Sequence, residues 1–139
     1  MCNQSECKAP LALIVDDDTT VRIVMRSVLE SHGIRVNEAE DGEKALQSFE
    51  KETPDIIVLD IEMPVKDGLQ VCAEIRRHPK GQFIPIIIIT GVDDTDTIKR
   101  AYEAGATDLA VKPINWPCFG QRISCMLQST QKSWHKRGN

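Results

Sequence analysis

Ile56-Ile57-Val58-Leu59-Asp60 decides how this chain folds. Four apolar residues, three of them β-branched, run without interruption into a carboxylate. No polar residue alternates with them, so both faces of the segment need cover. Such a strand belongs inside a parallel sheet with helices on either side. Residues 11–15, 84–89 and the shorter 109–111 read the same way. Residues 34–38 differ: Ile34 and Val36 alternate with Arg35 and Asn37, which suits a strand wetted on one face at a sheet edge.

Between the strands the apolar period changes from 2 to 3.6. Val21, Val24, Met25, Val28 and Leu29 form one helical stripe, with Asp18 placed to cap it and Gly33 to end it. Asp41 is placed to cap a second helix with Ala45, Leu46 and Phe49 inward. Asp67 serves a third, bearing Leu69, Cys72, Ala73 and Ile75. Asp94 serves a fourth, bearing Ile98, Ala101 and Tyr102 and closed by Gly105. Asn115 serves a fifth, with Pro117 in its first turn and Phe119, Ile123, Met126 and Leu127 on the core side. Strand then helix, five times over, predicts a doubly wound α/β fold with right-handed crossovers.

The bulk numbers agree. The chain has 139 residues, 41% hydrophobic and 27% charged, which fits one globular domain. The net charge of −4 gives no electrostatic reason to expect direct nucleic-acid binding. No apolar run is long enough to span a bilayer, and residues 1–10 lack a signal-peptide core, so a cytoplasmic location is expected. Residues 1–9 read as a disordered tail, 10–130 as the domain, and 131–139 as a tail or the start of a linker. The five cysteines show no C-x-x-C pair and read as reduced thiols, with Cys72 and Cys125 core-facing and Cys2 and Cys7 in the tail. His32, His78 and His135 have no partner at metal spacing and default to the surface.

The chemistry collects where the strands end, which is where open parallel sheets build their sites. The first strand runs into Asp16-Asp17-Asp18, the third into Asp60, the fourth into Thr90 and the fifth into Lys112-Pro113. Clustered carboxylates repel one another, and Mg²⁺ relieves that while keeping places for water and phosphate oxygens. A carboxylate can act as nucleophile and become an acyl phosphate. Metal, ammonium and hydroxyl would then neutralise the transferring phosphoryl group. Asp18 reads as a helix cap before a third metal ligand. Asp67-Gly68 reads as a turn and cap, and Asp93-Asp94 as capping and solvated charge.

These blocks resemble the response-regulator receiver family. The resemblance rests on Leu13-Ile14-Val15-Asp16-Asp17-Asp18, Ile57-Val58-Leu59-Asp60-Ile61-Glu62-Met63-Pro64-Val65-Lys66-Asp67-Gly68-Leu69, Thr90-Gly91, and Ala104-Gly105-Ala106-Thr107-Asp108 leading to Val111-Lys112-Pro113. It spans residues 10 to 130. It implies a CheY-like, flavodoxin-like five-stranded parallel sheet of order 2-1-3-4-5 with five helices. It implies Asp60 as phosphoacceptor, and Asp16, Asp17, Asp60 and the Glu62 backbone carbonyl as Mg²⁺ ligands, with Asp17 the more direct of the acidic pair. Thr90 and Lys112 would face the phosphoryl group, and the bond before Pro113 would be cis. The expected donor is a histidine kinase or phosphotransfer protein. The expected relay face is the fourth helix, fifth strand and fifth helix, toward an output domain, an effector or a phosphorylation-dependent dimer. Such a domain assists only its own phosphorylation and dephosphorylation and is not an enzyme. One departure stands out: Leu109 occupies the position where the family carries a switch aromatic. Glu62 and Val92 occupy positions that influence dephosphorylation in the family, and Glu62 could orient water or repel it.

Two alternatives accompany this reading. Asp16-x-Asp18-x-Thr20 fits the nucleophile motif of haloacid-dehalogenase-like phosphatases, with Thr90 and Lys112 as later motifs. Against it, the chain is short for that fold with a cap, and Asp60 would have no role. The segment from Lys112 to Leu127 also resembles receivers that precede a diguanylate cyclase or phosphodiesterase domain.

Overall fold

The computed structural model describes residues 9–64 and 66–138, with side chains described as far as residue 129. The expected disordered tail and Cys2 and Cys7 fall almost wholly or wholly outside the described residues. In chain order the elements are β1 (Leu11–Val15), α1 (Thr19–Ser31), β2 (Arg35–Ala39), α2 (Gly42–Lys51), β3 (Ile56–Asp60), α3 (Gly68–Arg77), β4 (Ile86–Thr90), α4 (Thr95–Glu103), β5 (Asp108–Val111) and α5 (Trp116–Gly138). The strands pair in parallel in the order β2-β1-β3-β4-β5. Architecture and strand order match the sequence expectation.

Period-2 alternation sends the strand side chains to two cores. Ala12, Ile14, Ile56, Val58, Ile87 and Ile89 point one way, where Met25 and Leu29 of α1 and Phe119, Ile123 and Leu127 of α5 cover them. Leu13, Val15, Ile57, Leu59, Ile86 and Ile88 point the other way, under Phe49 of α2, Val71, Cys72 and Ile75 of α3, and Ala101 of α4. Every residue of β1, β3 and β4 is buried, whereas β2 at the edge alternates. Each fully buried Ile or Leu of these strands contributes about 2 kcal/mol of transfer free energy.

The helix caps fall where the sequence places them. Asp18, Asp41, Asp67 and Asp94 each accept backbone N–H groups at the start of their helix. Asn115 does so for α5, accepting the Cys118 N–H at 3.1 Å. Asp67 and Gln70 complete a reciprocal capping box.

Some details differ from expectation. β2 begins and ends one residue later than the alternation suggests, because Arg35 N–H bonds the Pro10 carbonyl and starts the ladder there. Cys72 is buried, but Cys125 is exposed: two positions from Ile123 is a 200° turn of the helix, away from the core. His78 is not a bare surface residue. Its ring stands edge-on to Phe49 at 5.2 Å, and its Nδ1 accepts the Lys80 N–H. A short 3₁₀ turn at Pro79–Gly81 was not expected. The α5 backbone continues to Gly138, beyond the expected end near residue 130, since residues 121–137 contain no glycine or proline to stop it.

Arg76 ties together the end of the molecule opposite the carboxylates. Its guanidinium donates to the carbonyls of Gly81 (2.8 Å), Ile84 (2.6 Å) and Gly105 (2.8 Å), and to the Thr107 hydroxyl (3.2 Å). Burial pushes its pKa below the ordinary arginine value. Gly105 is doubly required there. Its φ is +107°, and an added Cβ would lie 2.6 Å from Arg76 Cγ.

Candidate phosphoacceptor site

Because the strands are parallel, β1, β3, β4 and β5 all deliver their last residues to one rim. That rim is an open cleft lined by Asp16, Asp17, Asp60, Glu62, Thr90 and Lys112, among others. Carboxylate oxygens of Asp16, Asp17 and Asp60 lie within 4.8 Å of one another. Lys112 Nζ is 3.5 Å from Asp60 Oδ1. The Lys112–Pro113 peptide bond is cis, as the resemblance implies.

Asp16 and Asp60 are almost inaccessible, at 1% and 4%, whereas Asp17 is exposed. Burial, above all, raises the Asp16 pKa, and the Asp17 and Asp18 charges add to it. The Asp18 backbone N–H and the Lys112 charge oppose that rise. Asp60 is pushed up to about 6, first by burial and then by the Asp16 charge, with Lys112 pulling the other way. Asp16 Oδ1 accepts the Asp18 N–H at 2.9 Å. Its Oδ2 is buried with no hydrogen-bond partner among the described residues. A buried carboxylate oxygen without a partner is costly, and a cation between the three carboxylates would relieve both the cost and the repulsion. Hard oxygen donors at this spacing fit Mg²⁺.

Thr90 is buried at the end of β4 and lines the cleft. Its hydroxyl is bonded 3.1 Å from both the carbonyl and the N–H of Val92. Leu109 pairs in register with Ile88 and packs partly buried against the α2–α3–α4 core. Asp18 takes the Thr20 and Val21 N–H groups, so the second carboxylate of the phosphatase-like pattern is spent on the helix cap. Asp94 likewise caps α4.

Four contributors escape a sequence reading. Arg22 donates to the Asp16 carbonyl at 2.6 Å. Arg100 and Thr97 of α4 line the cleft. Gly68 does more than turn the chain: a Cβ there would lie 2.4 Å from the Asp60 carbonyl oxygen, so α3 starts against β3 only without a side chain. The Asp67-Gly68 dipeptide signalled a turn, but nothing local signalled that close approach.

A family model, "Response regulator receiver domain", matches residues 12–123. The chain belongs to the response-regulator receiver family. Receivers are signalling phosphoacceptor domains, bind Mg²⁺ at an acidic pocket and partner with histidine kinases. The receiver is 40% identical over 121 residues to "Probable transcriptional regulator ycf27" of Guillardia theta, covering 87% of this chain and 46% of that protein. It is 34% identical over 123 residues to "Transcriptional regulatory protein AfsQ1" of Streptomyces coelicolor, covering 88% and 53%. The receiver thus spans about half the length of the curated relatives it matches. Among solved structures, a CheY-like receiver domain protein of Methanospirillum hungatei superposes with a TM-score of 0.83 at 25% identity, covering 91% of this chain and 99% of that one. The chemotaxis protein CheY4 of Vibrio cholerae gives 0.76 at 28%, covering 89% and 98%. Among the described residues no helix is long and apolar enough to cross a membrane.

Proposed function

We propose that this receiver takes a phosphoryl group on Asp60 and relays the change to an output. The observation that carries the assignment is Asp60's position: buried at the end of β3, beside the Asp16–Asp17 pair, with Lys112 Nζ 3.5 Å away. Above pH 6 the Asp60 carboxyl is ionised and can act as nucleophile. One of its oxygens attacks the phosphorus of a phosphohistidine. A P–O bond forms, the P–N bond breaks, and the imidazole nitrogen keeps the electron pair. Lys112 neutralises charge gathering on the phosphoryl oxygens. Asp16, Asp17, Asp60 and the Glu62 backbone carbonyl would hold Mg²⁺, which supplies the remaining charge neutralisation. Thr90 would exchange its Val92 bonds for the phosphoryl group. The donor is a histidine kinase or a phosphotransfer protein in the cytoplasm.

Tyr102 of α4 and Val111 of β5 are exposed apolar residues on the α4–β5–α5 side and suit a partner or a second copy. With Leu109 in place of an aromatic, no ring swings at that position, so α4 carries the change. The matched relatives are named as transcriptional regulators, which supports a transcriptional output more than a cyclic-dinucleotide enzyme. Nucleic-acid contact would then belong to the output, since this chain's net charge is −4. Intact mass after incubation with acetyl phosphate tests the assignment. A single Mg²⁺-dependent phosphoryl adduct, missing in Asp60→Asn, is expected. An unchanged adduct in the variant would move the acceptor elsewhere.

A further inference from the structure

We propose that Arg22 is a positioning residue for the acidic pair, through which α1 and β2 set the divalent-cation affinity of the site. The inference rests on the reading of the carboxylate cluster as a Mg²⁺-dependent phosphoacceptor site. Its own basis is how Asp16 is held. The Asp16 N–H bonds the Ala39 carbonyl at 3.1 Å, and Oδ1 takes the Asp18 N–H at 2.9 Å. The Asp16 carbonyl takes Arg22 Nη1 at 2.6 Å. With these groups fixed, Oδ2 is the one polar side-chain atom of Asp16 left free for a cation.

The carbonyl contact reaches further than Asp16. A peptide unit is planar, so holding the Asp16 C=O also sets the Asp17 nitrogen in that plane. Arg22 thereby constrains the direction from which both carboxylates leave the chain. Arg22 is itself clamped. Its Nε donates to Glu38 Oε1 at 3.0 Å and its Nη2 to the Thr19 hydroxyl at 3.3 Å, and its side chain is 12% exposed. Glu38 is held in turn by Arg26 Nε at 2.6 Å, while Arg26 Nη2 bonds the Val36 carbonyl at 3.1 Å. A planar guanidinium can serve three acceptors in one fixed geometry, which an ammonium on a flexible stem cannot.

Positioning and electrostatics make opposite predictions. Arg22 carries a positive charge next to a cation site, so removing the charge alone would tighten Mg²⁺. Removing the clamp loosens the carboxylates and weakens it. Outer-shell partners of metal ligands typically change affinity by about 10–100-fold, so a loss of about tenfold is the expected scale.

The test is Mg²⁺ titration calorimetry on the full chain at pH 7.5, with urea unfolding as the folding control. Arg22→Met keeps the apolar stem and loses the donors; its Mg²⁺ affinity falls about tenfold. Arg22→Lys keeps the charge without the fork and also falls, and it carries the test if the Met variant does not fold. Glu38→Ala falls in the same direction by less. Because Glu38 acts through Arg22, adding Glu38→Ala to Arg22→Met changes nothing more. Unchanged or tighter Mg²⁺ binding in folded Arg22 variants would overturn the inference. Absence of Mg²⁺ binding by the wild type would instead overturn the site reading on which it stands.

Discussion

Asp60→Asn should make the metal-free protein more stable, and by an amount that depends on pH. In the fold the Asp60 carboxyl has its pKa raised from 3.8 to about 6. A shift of roughly two units at 1.36 kcal/mol per unit is about 3 kcal/mol. The sign follows from which state holds the proton. Between pH 4 and 6 the folded protein keeps a proton that the unfolded chain has lost. The stability tied to neutral Asp60 is therefore complete below pH 3.8 and is lost as pH rises through about 6. Asn preserves the shape and never ionises. In EDTA at pH 7.5 the variant should gain up to about 3 kcal/mol, on the order of 10 °C in Tm for a domain of this size. Near pH 4 the gain should vanish. Mg²⁺ at a hundredfold excess over its Kd stabilises the wild type by about 2.7 kcal/mol, so the gap at pH 7.5 should then nearly close. Urea unfolding at the two pH values, with and without Mg²⁺, reads all of this. A variant no more stable than wild type at pH 7.5 would refute the reasoning, as would a gap that persists at pH 4.

Other perturbations follow from single contacts. Lys112→Met removes the cation 3.5 Å from Asp60, so the Asp60 pKa should rise further above about 6, visible in carboxyl ¹³C titration, and phosphorylation at neutral pH should slow at least tenfold, roughly the size of one general electrostatic contact. Gly68→Ala sets a methyl 2.4 Å from the Asp60 carbonyl oxygen, where backbone cannot yield cheaply; a destabilisation of about 1–3 kcal/mol by urea unfolding and slower phosphorylation are expected together. Arg76→Met strips donors from the Gly81, Ile84 and Gly105 carbonyls and should cost about 2–4 kcal/mol in unfolding while leaving the phosphorylation rate unchanged, because the hub sits at the opposite ends of the strands from Asp60.

What the sequence made legible were features with a local signal. Residues 56–60 and 86–90 announce buried strands because every position is apolar until the last. The five capping residues announce helix starts because a side-chain oxygen beside an apolar stripe has one obvious use. The rim of Asp16, Asp17, Asp60, Thr90 and Lys112 followed from topology alone: parallel strands must end together. What stayed hidden depends on approach between distant segments. Arg22 looks like any solvated helix arginine until β1 and β2 bring Asp16 and Glu38 to it. Arg76 likewise meets acceptors up to 31 residues away. Cys125 was misplaced because the apolar stripe of α5 is narrower than its composition suggests.

Asp60 as the acceptor can be read chemically. After phosphorylation with Mg²⁺, borohydride reduces an aspartyl phosphate to homoserine, and peptide mass spectrometry locates it. Homoserine at position 60 and nowhere else is the predicted result. Homoserine at Asp16 or Asp17, or phosphate that survives borohydride on another side chain, would contradict the account.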